Sequence, residues 1–201
     1  ALLEAIPYNE LRKKFSIQAE TLVNPLPGYP KVTGLADWDN LDAIEMMKDA
    51  RKKYGIKEDE KLKIVFAVIS GDQYLKEWTD ILSKAWEPLG VELTTESTTA
   101  ELYNTSIPKW NADLFYYSWI GDFADPLAFL ELFRGGSSLN NSLWKNEKYD
   151  QLLLDALRQD NIEEQYKLMA QAEQILLDDA MVIPISHPVC AHIIDLSVIG
   201  G

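Results

Sequence analysis

The chain has 201 residues, 47% of them hydrophobic and 25% charged, a globular composition sized for one large domain or two small ones. Its formal net charge of -13 argues against nucleic acid and against an anionic membrane surface, both of which call for a basic face. Most of that charge reads as solvated surface, compatible with cationic or zwitterionic ligands.

The single cysteine, Cys190, excludes an intrachain disulfide but leaves the compartment open. No apolar run approaches the roughly 18 residues of a membrane span, and no signal peptide is present. Ala1 to Ile6 reads as helix from its first residue with no cap before it. The chain is therefore expected to be a piece of a longer one, with any export signal upstream.

Asn9 to Phe15 reads as a short helix. Thr21 to Leu35, with Pro25, Pro27, Gly28, Pro30 and Gly34, reads as a long ordered loop. Asp37 to Asn40 offers caps for a helix through Tyr54, with Ala43, Met47, Ala50 and Tyr54 at helical spacing and Gly55 as the stop. Leu62 to Ile69 is a strong strand, and Ser70-Gly71-Asp72 opens the next helix. Its stripe is Leu75, Trp78, Leu82, Ala85 and Leu89, with Pro88 frustrating the last turn.

Val91 to Glu96 is a second strand, Ala100 to Lys109 is helix-like, and Asp113 to Trp119 is a third strand. The third strand is apolar on both faces and is expected inside the sheet. Strand, helix, strand, helix, strand implies parallel pairing with right-handed crossovers. Pro126 to Arg134 is a short helix ended by Gly135-Gly136, and Ser137 to Ser142 is a loop. Helices follow over Glu147 to Gln159 and Asn161 to Asp178. The second of these is expected to start in a capping box of Asp160 with Glu163 and to bury Ile162, Tyr166, Met169 and Leu176. Met181 to Ile185 is a strand, and Val189 to Ile194 is read as another.

No Gly-x-Ser-x-Gly elbow is present, so nucleophilic catalysis has little support. His187, Cys190 and His192 match no zinc spacing, and in a strand residue 187 points away from 190 and 192. Ser70-Gly71-Asp72 carries an acid where a phosphate loop would need none. The sequence thus calls for no metal and no cofactor. Asp122 and Asp125 remain as paired carboxylates able to act as acid and base. Asp125 also fits a cap for the helix beginning at Pro126, which Asp122 does not. Trp119 ends its strand beside Gly121, where a backbone is closely approachable and an indole can wall a ligand.

The run Trp119-x-x-Asp122-Phe123-x-Asp125-Pro126-x-x-Phe129-Leu130-x-x-Phe133 resembles the signature stretch of the extracellular solute-binding proteins of peptide ABC transporters. Ala1-Leu2-x-x-Ala5-Ile6, Leu22 to Pro30, Asp42 to Gly55, Leu89-Gly90-Val91, Asn146-x-x-Tyr149-Asp150-x-Leu152-Leu153 and Met181-x-Ile183-Pro184-Ile185 match that family's landmarks in order. Pro7 departs from it, standing where the family has an acid.

The resemblance implies an α/β fold, a periplasmic-binding-protein-like lobe with a mixed, mainly parallel sheet flanked by helices. Residues 1–201 would be one lobe, the one inserted between the halves of its partner, which is missing. It implies an exported, monomeric protein, periplasmic or anchored as a lipoprotein, that performs no catalysis and hands peptides to an ABC permease. Asp122 would hold the peptide's α-ammonium, and the backbone of Ser118, Trp119, Ile120 and Gly121 would pair with the peptide as an added strand. Ser186 and His187 would border the cleft. Rival readings are an oligosaccharide or nickel-chelate binder, an acid–base enzyme using Asp122 and Asp125 in a closed pocket, and a regulatory sensor on the same lobes.

Overall fold

Three parallel strands organise the fold. The computed structural model describes residues 1–37, 40–106, 109 and 111–188. In it β1 (Leu62–Ile69), β2 (Val91–Thr98) and β3 (Leu114–Phe115) lie in the order β2-β1-β3. β1 pairs with β2 over its whole length, from Leu62 opposite Val91 to Ile69 opposite Thr98. Its pairing with β3 covers only Phe66 opposite Leu114 and Ala67 opposite Phe115. An antiparallel bridge joins Gln18 to Ser186 outside these strands. The expected α/β lobe, mainly parallel and flanked by helices, is borne out.

β1 takes the centre because it is apolar towards both faces. Phe66 points into the larger core cluster, and Ala67 into a small one with Tyr103. Helix α3 (Gln73–Trp86) covers the Phe66 side with Leu75, Trp78, Leu82 and Trp86. The Asp72 carboxylate caps it, accepting from the Leu75 N–H at 3.0 Å. Pro88 cannot extend the α-helix, so the chain tightens into a 3-10 turn over Glu87–Leu89 and leaves through left-handed Gly90. On the other face α4 (Ala100–Ser106) contributes Tyr103.

Before the sheet, Ala1 to Ile6 makes only a 3-10 turn at Leu3–Ala5, followed by α1 (Tyr8–Arg12). Helix α2 (Asn40–Tyr54) buries Ala43 and Met47 but leaves Tyr54 exposed. Arg51 is buried instead, its guanidinium donating to the carbonyls of Lys57, Glu60, Leu89 and Gly90.

After the sheet come α5 (Leu127–Leu130), a 3-10 turn at Glu131–Phe133, α6 (Glu147–Ala156) and α7 (Ile162–Asp178). α7 is buried on two sides. Met169, Ala172 and Leu176 join a second core cluster with α5, α6 and Val23, while Ala170 and Leu177 join the first. The expected single stripe is therefore too narrow, and Ile162 is exposed. Asn161, not Asp160, caps α7 by accepting from the Glu163 N–H at 2.8 Å.

Residues 21–35 form the expected ordered loop. Gln174 of α7 holds both the N–H and the C=O of Thr33, at 2.8 and 3.3 Å. The third strand is shorter than expected and lies at the edge of the described sheet. Its apolar second face reflects helix packing, Tyr116 lying 5.6 Å from the Trp78 ring, rather than another strand. Met181 to Ile185 forms no strand. Its apolar residues pack into the first core cluster, and Pro184 has no N–H for a ladder. The expected strand Val189 to Ile194, with Cys190 and His192, lies outside the described residues, as do Trp38 and Asp39 before α2.

Candidate functional site: an unpaired edge ending at Asp122

The carboxyl end of the parallel sheet is where the chain departs from regular pairing, the place where open α/β sheets bind ligands. β1 ends in a turn through left-handed Gly71 (φ 83). β3 ends after Phe115, and the chain runs on to Gly121 without regular secondary structure. The hydroxyl of Tyr103, a residue only 2% exposed, stands at this exit. It donates to the Ala67 carbonyl at 3.2 Å and accepts from the Tyr116 N–H at 2.7 Å.

Beyond Tyr116 the backbone of residues 117–121 makes no hydrogen bond with any described residue. The side chains follow the period of two of an extended chain. Tyr117 and Trp119 stack with ring centroids 6.1 Å apart and planes 13° from parallel. The Trp119 Nε1–H donates to the Ala128 carbonyl at 2.9 Å, which pins the indole against α5. Ser118 is exposed, and Ile120 is 77% exposed.

Gly121 is approached closely, but by the protein itself. A Cβ there would lie 3.1 Å from Ala128 Cβ and 3.1 Å from Phe129 Cζ. The glycine thus seats the run on α5. Asp122 is exposed and makes no hydrogen bond or ion pair among the described residues. Asp125 accepts from the Leu127 N–H at 2.8 Å and caps α5, as its sequence position implies.

The two carboxylates therefore form no acid–base pair. One is engaged with a helix end, and the other stands on an open face, where the enzyme reading required a closed pocket. Among the described residues no three His, Cys, Asp or Glu side chains come together to hold a metal.

Ser186 and His187 lie on the strand-like return. The His187 N–H donates to the Ile17 carbonyl at 3.1 Å, and burial lowers the imidazole pKa. No hydrogen bond or ring contact joins either residue to the run from Ser118 to Asp122. Sequence reasoning missed Tyr117, exposed Phe123 and Tyr103. An aromatic in a polar helix signals burial; nothing in the spacing shows that the Tyr103 hydroxyl reaches β1.

What such an arrangement can do is accept a strand along its free backbone and a cation at its end. The sequence pattern described as bacterial extracellular solute-binding proteins, family 5 Middle, matches residues 1–141. The chain belongs to this family. Its members are substrate-binding proteins rather than enzymes.

Within the family, the chain is 41% identical over 68 residues to the dipeptide-binding protein DppE of Bacillus subtilis, covering 34% of this chain and 12% of that protein. It is 28% identical over 152 residues to the oligopeptide-binding protein OppA of the same organism, covering 74% of this chain and 28% of that one. The matched stretches thus cover under a third of the length of these relatives. Its fold superposes with a TM-score of 0.78 on the ABC transporter-associated periplasmic binding protein DppA from Helicobacter pylori, solved in complex with peptide STSA. That match is 20% identical and covers 93% of this chain and 37% of the other. No helix among the described residues is long and apolar enough to cross a membrane.

Proposed function

We propose that this chain is the ligand-contacting lobe of an extracytoplasmic solute-binding protein that captures peptides and delivers them to an ABC importer. The lobe is the one inserted between the halves of a partner lobe, and it performs no catalysis. The observation carrying this reading is the run from Tyr117 to Gly121, whose backbone makes no hydrogen bond among the described residues, ending at Asp122, whose exposed carboxylate has no partner among them. A peptide lying along that edge gains main-chain hydrogen bonds whatever its sequence. Its α-ammonium then meets Asp122, which can only accept. The peptide-binding names of the relatives support the ligand class.

The test uses the full-length protein and a library of short peptides, each free or N-acetylated. Asp122→Ala is expected to cost about 2–5 kcal/mol of affinity for free peptides, because closure leaves the ligand charge buried and unpaired. Acetylation should cost a similar amount in the wild type and little more in the variant. Calorimetry showing equal affinity for free and acetylated peptides would remove Asp122 from this role.

A further inference from the structure

We propose that Tyr103 is a positioning residue for peptide binding, its hydroxyl wedged between β1 and the departing chain so that residues 117–121 turn outward as a free edge. The proposal rests on the reading of that run as the ligand edge.

The register sets the argument. With Ala67 opposite Phe115, parallel pairing would next join the Tyr116 N–H to the Ala67 carbonyl. The Tyr103 hydroxyl occupies that step, bonding both groups. Each buried group keeps a partner, so the ladder ends without an orphaned donor or acceptor. Burial pushes the phenol up to about 12, so it remains a protonated donor across the working pH range.

Phenylalanine fills the same space without the oxygen. In Tyr103→Phe the Tyr116 N–H and the Ala67 carbonyl must pair directly or stay unpaired. Direct pairing draws residues 116 and 117 towards the last residues of β1, and the run that follows them shifts with them, the edge and Asp122 included.

Two measurements on the full-length protein test this. The first is peptide affinity by calorimetry, using the tightest-binding free peptide of the library, well below the thermal midpoint. Tyr103→Phe should lose about tenfold or more in affinity with one-site stoichiometry kept. A merely structural tyrosine would lower the midpoint and leave the affinity of the native fraction unchanged, which overturns the proposal. The second is amide hydrogen exchange without ligand. In the wild type the Tyr116 amide should exchange far more slowly than those of residues 117–121, and Tyr103→Phe should alter this pattern. A Tyr116 amide as fast as its successors in the wild type overturns the wedge even if the variant fails to fold. If the wild type binds no peptide, the functional reading fails, and exchange alone decides whether the wedge stands.

Discussion

Single residues in this chain divide by whether their polar atoms already have partners. Asp125 has one, the Leu127 N–H, and is explained by the helix it caps. Glu173 is buried to 0% exposure and has no cationic partner among the described residues, accepting instead from the Val23 N–H at 2.8 Å and the Tyr29 hydroxyl at 2.9 Å. Burial raises its pKa above the ordinary 4.5, outweighing the lowering by its hydrogen bonds. A carboxyl that holds its proton more tightly when folded stabilises the fold below about pH 4.5. That contribution is lost as pH rises through the raised value. Glu173→Gln keeps an acceptor for Val23 and cannot ionise. Its stability relative to wild type should therefore increase with pH above 4.5, read by urea unfolding across that range. A difference that stays flat with pH would show that Glu173 is ionised at no cost. The cap at Asp125 was legible in the sequence because turn chemistry is local. Glu173 was not, because its partners lie 144 and 150 residues away.

At the scale of elements, β1, α2 and α7 were read almost to the residue, since periodicity and caps are written locally, while α1, α5 and α6 are shorter than expected. The extent of β3 was not. Alternation of Phe115, Tyr117 and Trp119 reports an extended chain but not whether a neighbour pairs with it. That is decided by the end of β1 at Ile69, which the register sets opposite Tyr117, and by the Tyr103 hydroxyl of α4 standing at the Ala67–Tyr116 step. Glycines make a graded test of how tightly such elements are seated. A Cβ at Gly34 would lie 2.6 Å from Glu20 Cβ and 2.7 Å from the Glu20 carbonyl oxygen, and backbone cannot yield. Gly34→Ala should cost about 1–3 kcal/mol. At Gly121 the neighbours are the side chains of Ala128 and Phe129 at 3.1 Å, so Gly121→Ala should cost less, about 1 kcal/mol, while tilting the edge off α5. A Cβ at Gly136 meets nothing within 4 Å, and Gly136→Ala should be neutral or stabilising by about 0.5 kcal/mol. Urea midpoints in any other order would show that these loops relax more freely than the contacts imply.

For the whole molecule, the question is what holds the first and last described segments together, since the sheet reaches neither. Ile17 and Ala19 bond with His187 and Ile185 across the Gln18–Ser186 bridge, at 3.1 Å each. Arg12 reinforces this junction from beneath. Its Nε–H and Nη2–H donate to the Pro184 carbonyl at 3.0 and 2.8 Å, and its Nη1–H donates to the Leu35 carbonyl at 2.8 Å. The guanidinium lies 4.4 Å over the Tyr8 ring. One planar group thus ties three segments, including residues 172 apart in sequence. Arg12→Met keeps most of the packing but leaves two buried carbonyls without donors, and should cost about 2–4 kcal/mol. Arg12→Lys should restore little, because a single ammonium cannot present the fork that spans both carbonyls. Equilibrium unfolding of the full-length protein measures both variants, and hydrogen exchange should show the amides of Ala19 and His187 losing protection before those of β1. A lysine variant as stable as wild type would mean that charge alone, and not the fork, closes the junction.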